Sequence, residues 1–327
     1  MSDLPLSESA APYVGRLAPS PTGALHLGNV RTFLIAWLRA RQNGGRLVLR
    51  IEDLDHPRDK PGAAGALVED LRWLGFDWDE EVVQSARKDA YAAALAELQA
   101  KGLVYPCVCS RRDVENAQSA PHAGDQLYYP GICRGRFATW AEAAAEIAPR
   151  VPCWRFNLSA WLDRHPEDAQ IAIPEVFATD CPPLRPGEEL GDFPLARDAG
   201  GAGYTLAVVV DDAAEGVTEV VRGDDLLPAT PAQIILQHAL GVPTPHYLHV
   251  PLMVGPDGRR LAKRHGDTRI SRYRQEGATP RRILGFLART CGWDVPPEGA
   301  SPRELLPVFD FRKLPHSPTQ MKQNDYV

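Results

Sequence analysis

The chain is poor in cysteine: six among 327 residues, at 107, 109, 133, 153, 181 and 291. That is too sparse for a disulfide-built scaffold and points to a reducing, cytoplasmic setting. No apolar run reaches transmembrane length. The opening MSDLPLSESAAPY lacks both the basic and the apolar segment of a secretory leader, so residues 1–12 read as a loose arm. No repeat or low-complexity tract stands out. Positive charge is not in excess either. The formal net charge of -6 excludes a uniformly basic nucleic-acid binder but leaves room for a local basic face.

What is present suffices for a large core, at 44% hydrophobic residues, in one elaborate domain or two smaller ones. Tyr13–Leu17 reads as a strand. Val30, Phe33, Leu34, Trp37 and Leu38 recur at helical spacing and predict a helix over Val30–Arg41, ended by Gly44 and Gly45. RLVLRIE (Arg46–Glu52) is the next strand, and strand–helix–strand implies a parallel pair. Helices are expected at Ala64–Leu74 and Ala90–Ala100. From Cys107 to about Ala202 the pattern breaks up and reads as an insertion. Regular structure returns with two expected strands, YTLAVVVDD (Tyr204–Asp212) and VTEVVRG (Val217–Gly223). A helix over Thr230–Gly241 follows, with Thr230 as N-cap, Pro231 at the first helical position, Gln233 closing a capping box and Gly241 as terminator. The tail HSPTQMKQNDYV is polar and is not expected to fold alone.

Two stretches carry candidate chemistry. In APSPTGALHLGNVRTF (Ala18–Phe33), a glycine-bearing turn opens a helix, where backbone N–H groups can meet phosphate and His26 and Asn29 can add neutral donors. It is neither the Walker pattern nor the dinucleotide fingerprint. On spacing alone, a plain proline-rich turn with a surface histidine fits equally well. In GRRLAKRHGD (Gly258–Asp267), Lys263 in a glycine-flanked basic loop can pair with phosphate, although a solvated charge cluster is the usual reading of such a run. Between 258 and 282, Arg259, Arg260, Lys263, Arg264, Arg269, Arg272, Arg274, Arg281 and Arg282 face only Asp267 and Glu276. A third stretch holds Cys107, Cys109 and Cys133. Three thiolates suit zinc, but a tetrahedral site wants a fourth donor, and reduced cysteines near a turn fit the spacing as well.

HLGN and RLAKR together, in order and far apart, resemble the two signature motifs of class I aminoacyl-tRNA synthetases. GRLAPSPTGALHLGNVRT and RIEDLD narrow the resemblance to the glutamyl/glutaminyl group, from about Tyr13 to the end of the chain. The resemblance implies an α/β fold: a Rossmann-like catalytic domain in two halves (residues 13–106 and 203–257). An insertion with a zinc site (107–202) and a lysine loop with a short helical stem-contact region (258–327) complete it, without an anticodon-binding domain. It implies ATP-dependent activation of glutamate, with magnesium accompanying ATP. His26 and Lys263 would be catalytic, and Pro19, His26, Gly28, Asn29 and Lys263 would hold ATP. Arg16, Ser20, Glu52, Tyr204 and Arg222 would line the glutamate pocket. Two arginines suit two carboxylates, and Glu52 suits the ammonium group. Without the resemblance, each arginine reads as an ordinary surface ion pair. In relatives a Cys-x-Cys is followed by Tyr-x3-Cys. That pattern makes Cys107, Cys109, Tyr129 and Cys133 the zinc ligands, with His122 the runner-up for the fourth place.

Glutamyl-tRNA synthetases of ordinary length continue well beyond Val327 into anticodon-reading domains. Val208 also stands where they tend to carry asparagine. Both features, with GVTEVVRGDDLLPATPAQ, resemble the short glutamyl-Q tRNA(Asp) synthetase family. That family attaches glutamate to the queuosine base at the wobble position of tRNA(Asp), without tRNA in the activation step. A truncated enzyme charging tRNA(Glu) or tRNA(Gln), and an inactive RNA-binding module, are the alternatives. Two departures are local: Ala262 replaces a hydroxyl residue before Lys263, and Asn29 replaces the last histidine of the fuller HIGH motif. The arginine-rich stretch from Arg259 to Arg282 is expected to meet RNA phosphates in part.

Overall fold

The structure, a computed structural model, describes residues 12–21, 24–54, 62–117, 128–178, 182–197, 201–259, 261 and 268–321, with the backbone alone for 115–117. Strand β1 (Val14–Leu17) leads into helix α1 (Leu27–Gln42) and back to β2 (Arg46–Ile51). The two strands are parallel, Val14 facing Arg46 and Leu17 facing Leu49. Helix α1 begins three residues before the expected start. His26 is its N-cap, in extended backbone, and its N–H donates to Asn29 Oδ1 at 3.4 Å. Leu27, Val30, Leu34, Ile35 and Leu38 are wholly buried in the main core. Gly45 makes the return to β2 possible: a Cβ there would stand 2.5 Å from the Tyr13 carbonyl oxygen.

Helix α2 (Ala63–Trp73), strand β3 (Glu80–Val83) and helix α3 (Lys88–Ala100) follow, with β3 parallel to β2. The next segment is more regular than its sequence suggests. It contains β4 (Val104–Cys107), α4 (Arg111–Ala117), α5 (Trp140–Ile147), β5 (Cys153–Phe156), α6 (Leu158–Leu162), α7 (Pro186–Glu189) and β6 (Pro194–Ala196). β4, β5 and β6 form an antiparallel sheet. Strands of three or four residues are too short to display a period, which is why the pattern looks broken.

The expected strand Tyr204–Asp212 is a helix, α8 (Tyr204–Glu215), closed by Gly216 in the left-handed conformation at φ 69°. Its apolar, valine-rich run imitates a buried strand. Yet Val208, Asp211, Asp212 and Glu215 recur at helical spacing, and all are buried. The three acids find arginine and other polar partners that one helix face can present together. β7 (Glu219–Gly223), α9 (Thr230–Leu240) and β8 (His246–Val250) come next, with β7 and β8 parallel. The expected cap of α9 is also corrected. Ala229 precedes its first turn and no side-chain cap bond forms. Thr230 and Gln233 point their oxygens at Arg222 instead.

The Thr218 N–H donates to the Val14 carbonyl at 2.9 Å. This sets β7–β8 along the edge of β1 that β2 does not use. The chain therefore moves one way from β1 to β2 and β3, and the other way from β1 to β7 and β8. A crevice opens at the carboxyl ends of strands where such an order reverses. Beyond it lie β9 (Met253–Val254), α10 (Ile270–Gln275), α11 (Pro280–Thr290), α12 (Pro302–Leu305) and β10 (Thr319–Gln320). The described part of the tail, to residue 321, packs on other elements: β10 pairs with β9, Met321 is buried, and buried Arg31 of α1 donates to Thr319 Oγ1 at 2.8 Å. No described helix is long and apolar enough to cross a membrane.

Candidate active site and cysteine cluster

A cleft of about 410 Å³ occupies the crevice. Arg16, Pro19 and Ser20 reach it from the end of β1. His26, Gly28 and Asn29 come from the start of α1, Glu52 from the end of β2, Tyr204 from the start of α8 and Arg222 from β7. The structure thus gathers all nine described residues expected at the site from sequence. Lys263, the tenth, lies outside the described residues. The described chain that follows, from Thr268, is bonded beside the cleft. The Leu27 N–H donates to the Thr268 carbonyl at 3.2 Å, and the Ile270 N–H to the Leu25 carbonyl at 2.9 Å. His26 and Arg269 form an antiparallel bridge. The chain leaving the lysine loop is therefore stitched to the turn that carries His26.

Arg16 is 5% exposed. Its Nη1 donates to the Val221 carbonyl at 2.8 Å, across from β1 to β7, and its Nε is 3.7 Å from Asp212 Oδ1. Burial pulls its guanidinium below the usual range, and Asp212 opposes that pull. Behind it stands Arg50, wholly buried, whose Nη1 donates to Asp212 at 2.7 Å and Glu215 at 2.8 Å. Its Nη2 reaches Glu52 Oε1 at 3.4 Å. Burial pushes the Glu52 carboxyl up, and Arg50 and Arg16 work against that shift. Arg50 thus spreads one positive charge over three acids and holds Glu52 toward the cleft.

Arg222, 4% exposed, is held differently. Its Nε donates to His249 Nε2 at 3.1 Å, Nη1 to Gln233 Oε1 at 2.8 Å and Nη2 to Thr230 Oγ1 at 2.8 Å. All three acceptors are uncharged. Tyr204, by contrast, is 42% exposed as a residue, but its hydroxyl is buried near Glu52, Arg222 and Arg16, and burial pushes that hydroxyl up.

The second cluster sits in the antiparallel segment. The sulfurs of Cys107, Cys109 and Cys133 all lie within 4.8 Å of one another. Tyr129 Oη is 3.3 Å from Cys107 Sγ and 3.4 Å from Cys109 Sγ, and accepts the Cys133 N–H at 3.0 Å. These spacings suit four donors around one small ion. The bond to Cys107, together with burial, pushes the Cys133 thiol up to about 12. Crowded thiols resist ionising together, and a divalent cation would relieve that. Arg155 Nε donates to Cys107 Sγ at 3.3 Å, and its guanidinium lies 3.9 Å over the Tyr129 ring. Cys153 faces Cys107 across β4 and β5. His122 and Cys181 lie outside the described residues.

The basic stretch is partly spent within the fold. Arg272 pairs with Glu276 at 2.6 Å and Arg274 with Glu69 at 2.9 Å, and Arg281 pairs with Glu304. Sequence reasoning passed over Arg50, Asp212, Glu215, Glu175, His249 and Arg155. A signal existed for Arg50, a charge inside an otherwise apolar strand, and for the acids of α8, at helical spacing.

Comparison with known proteins bears on this geometry. Residues 13–313 match the family model of class I tRNA synthetases (E and Q), catalytic domain. The chain is 46% identical to a glutamyl-Q tRNA(Asp) synthetase of Symbiobacterium thermophilum, covering 94% of this chain and 95% of that one. It is 38% identical to a glutamate–tRNA ligase of Aquifex aeolicus, covering 93% of this chain but only 63% of that one. The crystal structure of a glutamate tRNA ligase from Elizabethkingia meningosepticum in complex with its amino acid superposes with a TM-score of 0.78. That pair is 26% identical, and the match covers 96% of this chain and 68% of that one. The chain belongs to the glutamyl and glutaminyl class I synthetases and, within them, to the glutamyl-Q tRNA(Asp) synthetase family.

Proposed function

We propose that the cleft joins glutamate to ATP without tRNA and that the protein passes the glutamyl group to the queuosine base of tRNA(Asp). The observation that carries the reading is the meeting of two buried arginines and one carboxylate, from β1, β7 and β2, at a single cleft. An α-amino dicarboxylic acid offers the complementary set, two anions and one cation. Arg16 and Arg222 bind its carboxylates by charge-assisted bonds, Glu52 its ammonium group, and Ser20 and Tyr204 complete the pocket. Pro19, His26, Gly28 and Asn29 cradle ATP at the start of α1, where helix N–H groups favour anions.

In the first step a carboxylate oxygen of glutamate attacks the α-phosphorus. A bond forms there, the bond to the bridging oxygen of the β-phosphate breaks, and pyrophosphate leaves with its magnesium. Like charges must approach, so positioning and cationic stabilisation are the main demands. Lys263, a few residues before the Thr268–Ile270 stretch that is bonded beside His26, neutralises the charge that builds on the phosphates. In the second step the acyl group moves to the base and AMP departs. The segment bearing the cysteines holds zinc through Cys107, Cys109, Tyr129 and Cys133. Four protein donors would leave no position open for substrate, so these residues would use the metal to cross-link the segment rather than in the chemistry. These steps suit a cytoplasmic protein with tRNA(Asp), through its anticodon loop, as RNA partner.

The test is incubation with ATP and labelled glutamate, followed by tRNA(Asp) with or without queuosine. Label is expected only on the queuosine-bearing tRNA. Label at the 3′ end of tRNA(Glu) would overturn the choice of acceptor.

A further inference from the structure

Arg222 reaches the cleft from inside a shell of uncharged acceptors, and one of them has a fixed protonation state. A guanidinium only donates hydrogen bonds. The 3.1 Å contact from Arg222 Nε to His249 Nε2 therefore requires a bare lone pair on that nitrogen. The imidazole proton then sits on Nδ1, which faces Glu175 Oε2 in hydrogen-bond contact. Glu175 is itself fixed: its Oε1 accepts the backbone N–H of His249 at 3.1 Å and of Phe177 at 3.2 Å. The side chains of His249 and Glu175 are 3% and 2% exposed, and neither lines the cleft.

We propose that Glu175 and His249 are positioning residues for Arg222, fixing its guanidinium to receive a substrate carboxylate through His249 in its Nδ1-protonated form. Of the five guanidinium N–H groups, His249, Gln233 and Thr230 take one each. Two remain, one on each terminal nitrogen, the number a carboxylate accepts in forked geometry. No described carboxylate makes an ion pair with Arg222, so its charge stays available to the ligand. Moving the acid one residue outward, from Arg222 to the far side of an imidazole, orients the arginine without neutralising it. Glu175 belongs to the segment that precedes α7 and bridges to Tyr247 of β8. The inserted segment thereby helps to shape the cleft.

The inference rests on the reading of the cleft as a glutamate site. Its test is glutamate-dependent ATP–pyrophosphate exchange without tRNA in the wild type, His249→Ala, His249→Gln and Glu175→Gln. In parallel, 15N NMR of histidine-labelled wild-type protein reads the His249 tautomer. His249→Ala should raise the glutamate KM by about tenfold or more while kcat and the ATP KM move by less than about threefold. Glu175→Gln should raise the glutamate KM in the same selective way, by less. His249→Gln, whose amide oxygen can accept from Arg222, should recover most of the loss. An Nε2-protonated or doubly protonated His249 in the wild-type spectrum would overturn the proposal. So would KM and kcat deteriorating together with the melting temperature in all three variants. If the wild type shows no exchange with glutamate, the substrate reading fails on its own, and the tautomer alone decides whether His249 is held as proposed.

Discussion

The cleft and the cysteine cluster both crowd groups of like charge, yet they are built in opposite ways. At the cleft the partners are distant in sequence: Arg16 and Val221, bonded across its wall, are 205 positions apart. Its acids are matched from within the protein, Arg50 reaching Asp212, Glu215 and Glu52, with Arg16 sharing Asp212. At the cluster the donors all fall between residues 107 and 133. Among the described residues, Arg155 is the cation in contact with the three thiols and the phenol, through Cys107 and the Tyr129 ring. The first arrangement stands complete without a ligand ion. The second brings three thiols and a phenol within reach of one another, a donor set that could hold a metal ion. The cleft should therefore fail when its buried ion pairs are cut, and the cluster when metal is withdrawn.

The largest effect is expected from Asp212→Ala. It removes the acid that Arg50 and Arg16 share, and leaving buried charge uncompensated costs about 3–5 kcal/mol. Urea unfolding should show that loss. Arg222→Leu attacks the same region from the ligand side. The efficiency of glutamate-dependent exchange should fall by about 2–4 kcal/mol in transition-state terms, read from kcat/KM. Cys107→Ser, or a strong chelator, should strip metal from the cluster and lower the melting temperature by several degrees. Exchange should stay within about threefold, since no described residue between 107 and 133 lines the cleft. A chelator that abolished exchange with magnesium restored would break the contrast.

The smallest effect lies outside both regions. The Ser301 hydroxyl and N–H, with Arg281, hold the exposed Glu304 carboxyl down at about 2. Its folded value is thus below the ordinary 4.5. The stabilisation is present above the ordinary value and is lost as pH falls toward the folded one. The difference in melting temperature between wild type and Glu304→Gln should shrink to nothing over that range. This surface pair sets the scale against which the two buried regions are read.

Local patterns were legible and long-range matches were not. The unit β1–α1–β2 follows from helical spacing bounded by glycines. His26 belongs to that unit, so its place at the start of α1 could be read directly. Helix α8 was misread because apolar, β-branched residues satisfy a buried strand and a buried helix alike. The deciding signal was the spacing of its acids, which makes sense only once Arg50 and Arg87 stand opposite. Thr230 and Gln233 look like a helix cap in sequence. In the fold Arg222 outcompetes the helix end, because a buried guanidinium left without acceptors costs more than a missing cap. Arg16, Glu52 and Arg222 were legible as site residues only through family motifs. Their shell, His249 and Glu175 included, leaves no motif, since its partners are set by the packing of β7, β8 and the segment before α7.

The measurement that bears most directly on this account is ATP–pyrophosphate exchange by the purified protein without tRNA, with glutamate, glutamine or aspartate as the amino acid. Two arginines and one carboxylate at the cleft predict exchange with glutamate and little with glutamine, whose amide leaves one arginine without its anion. Exchange with glutamine as fast as with glutamate, or none with any of the three, would contradict it.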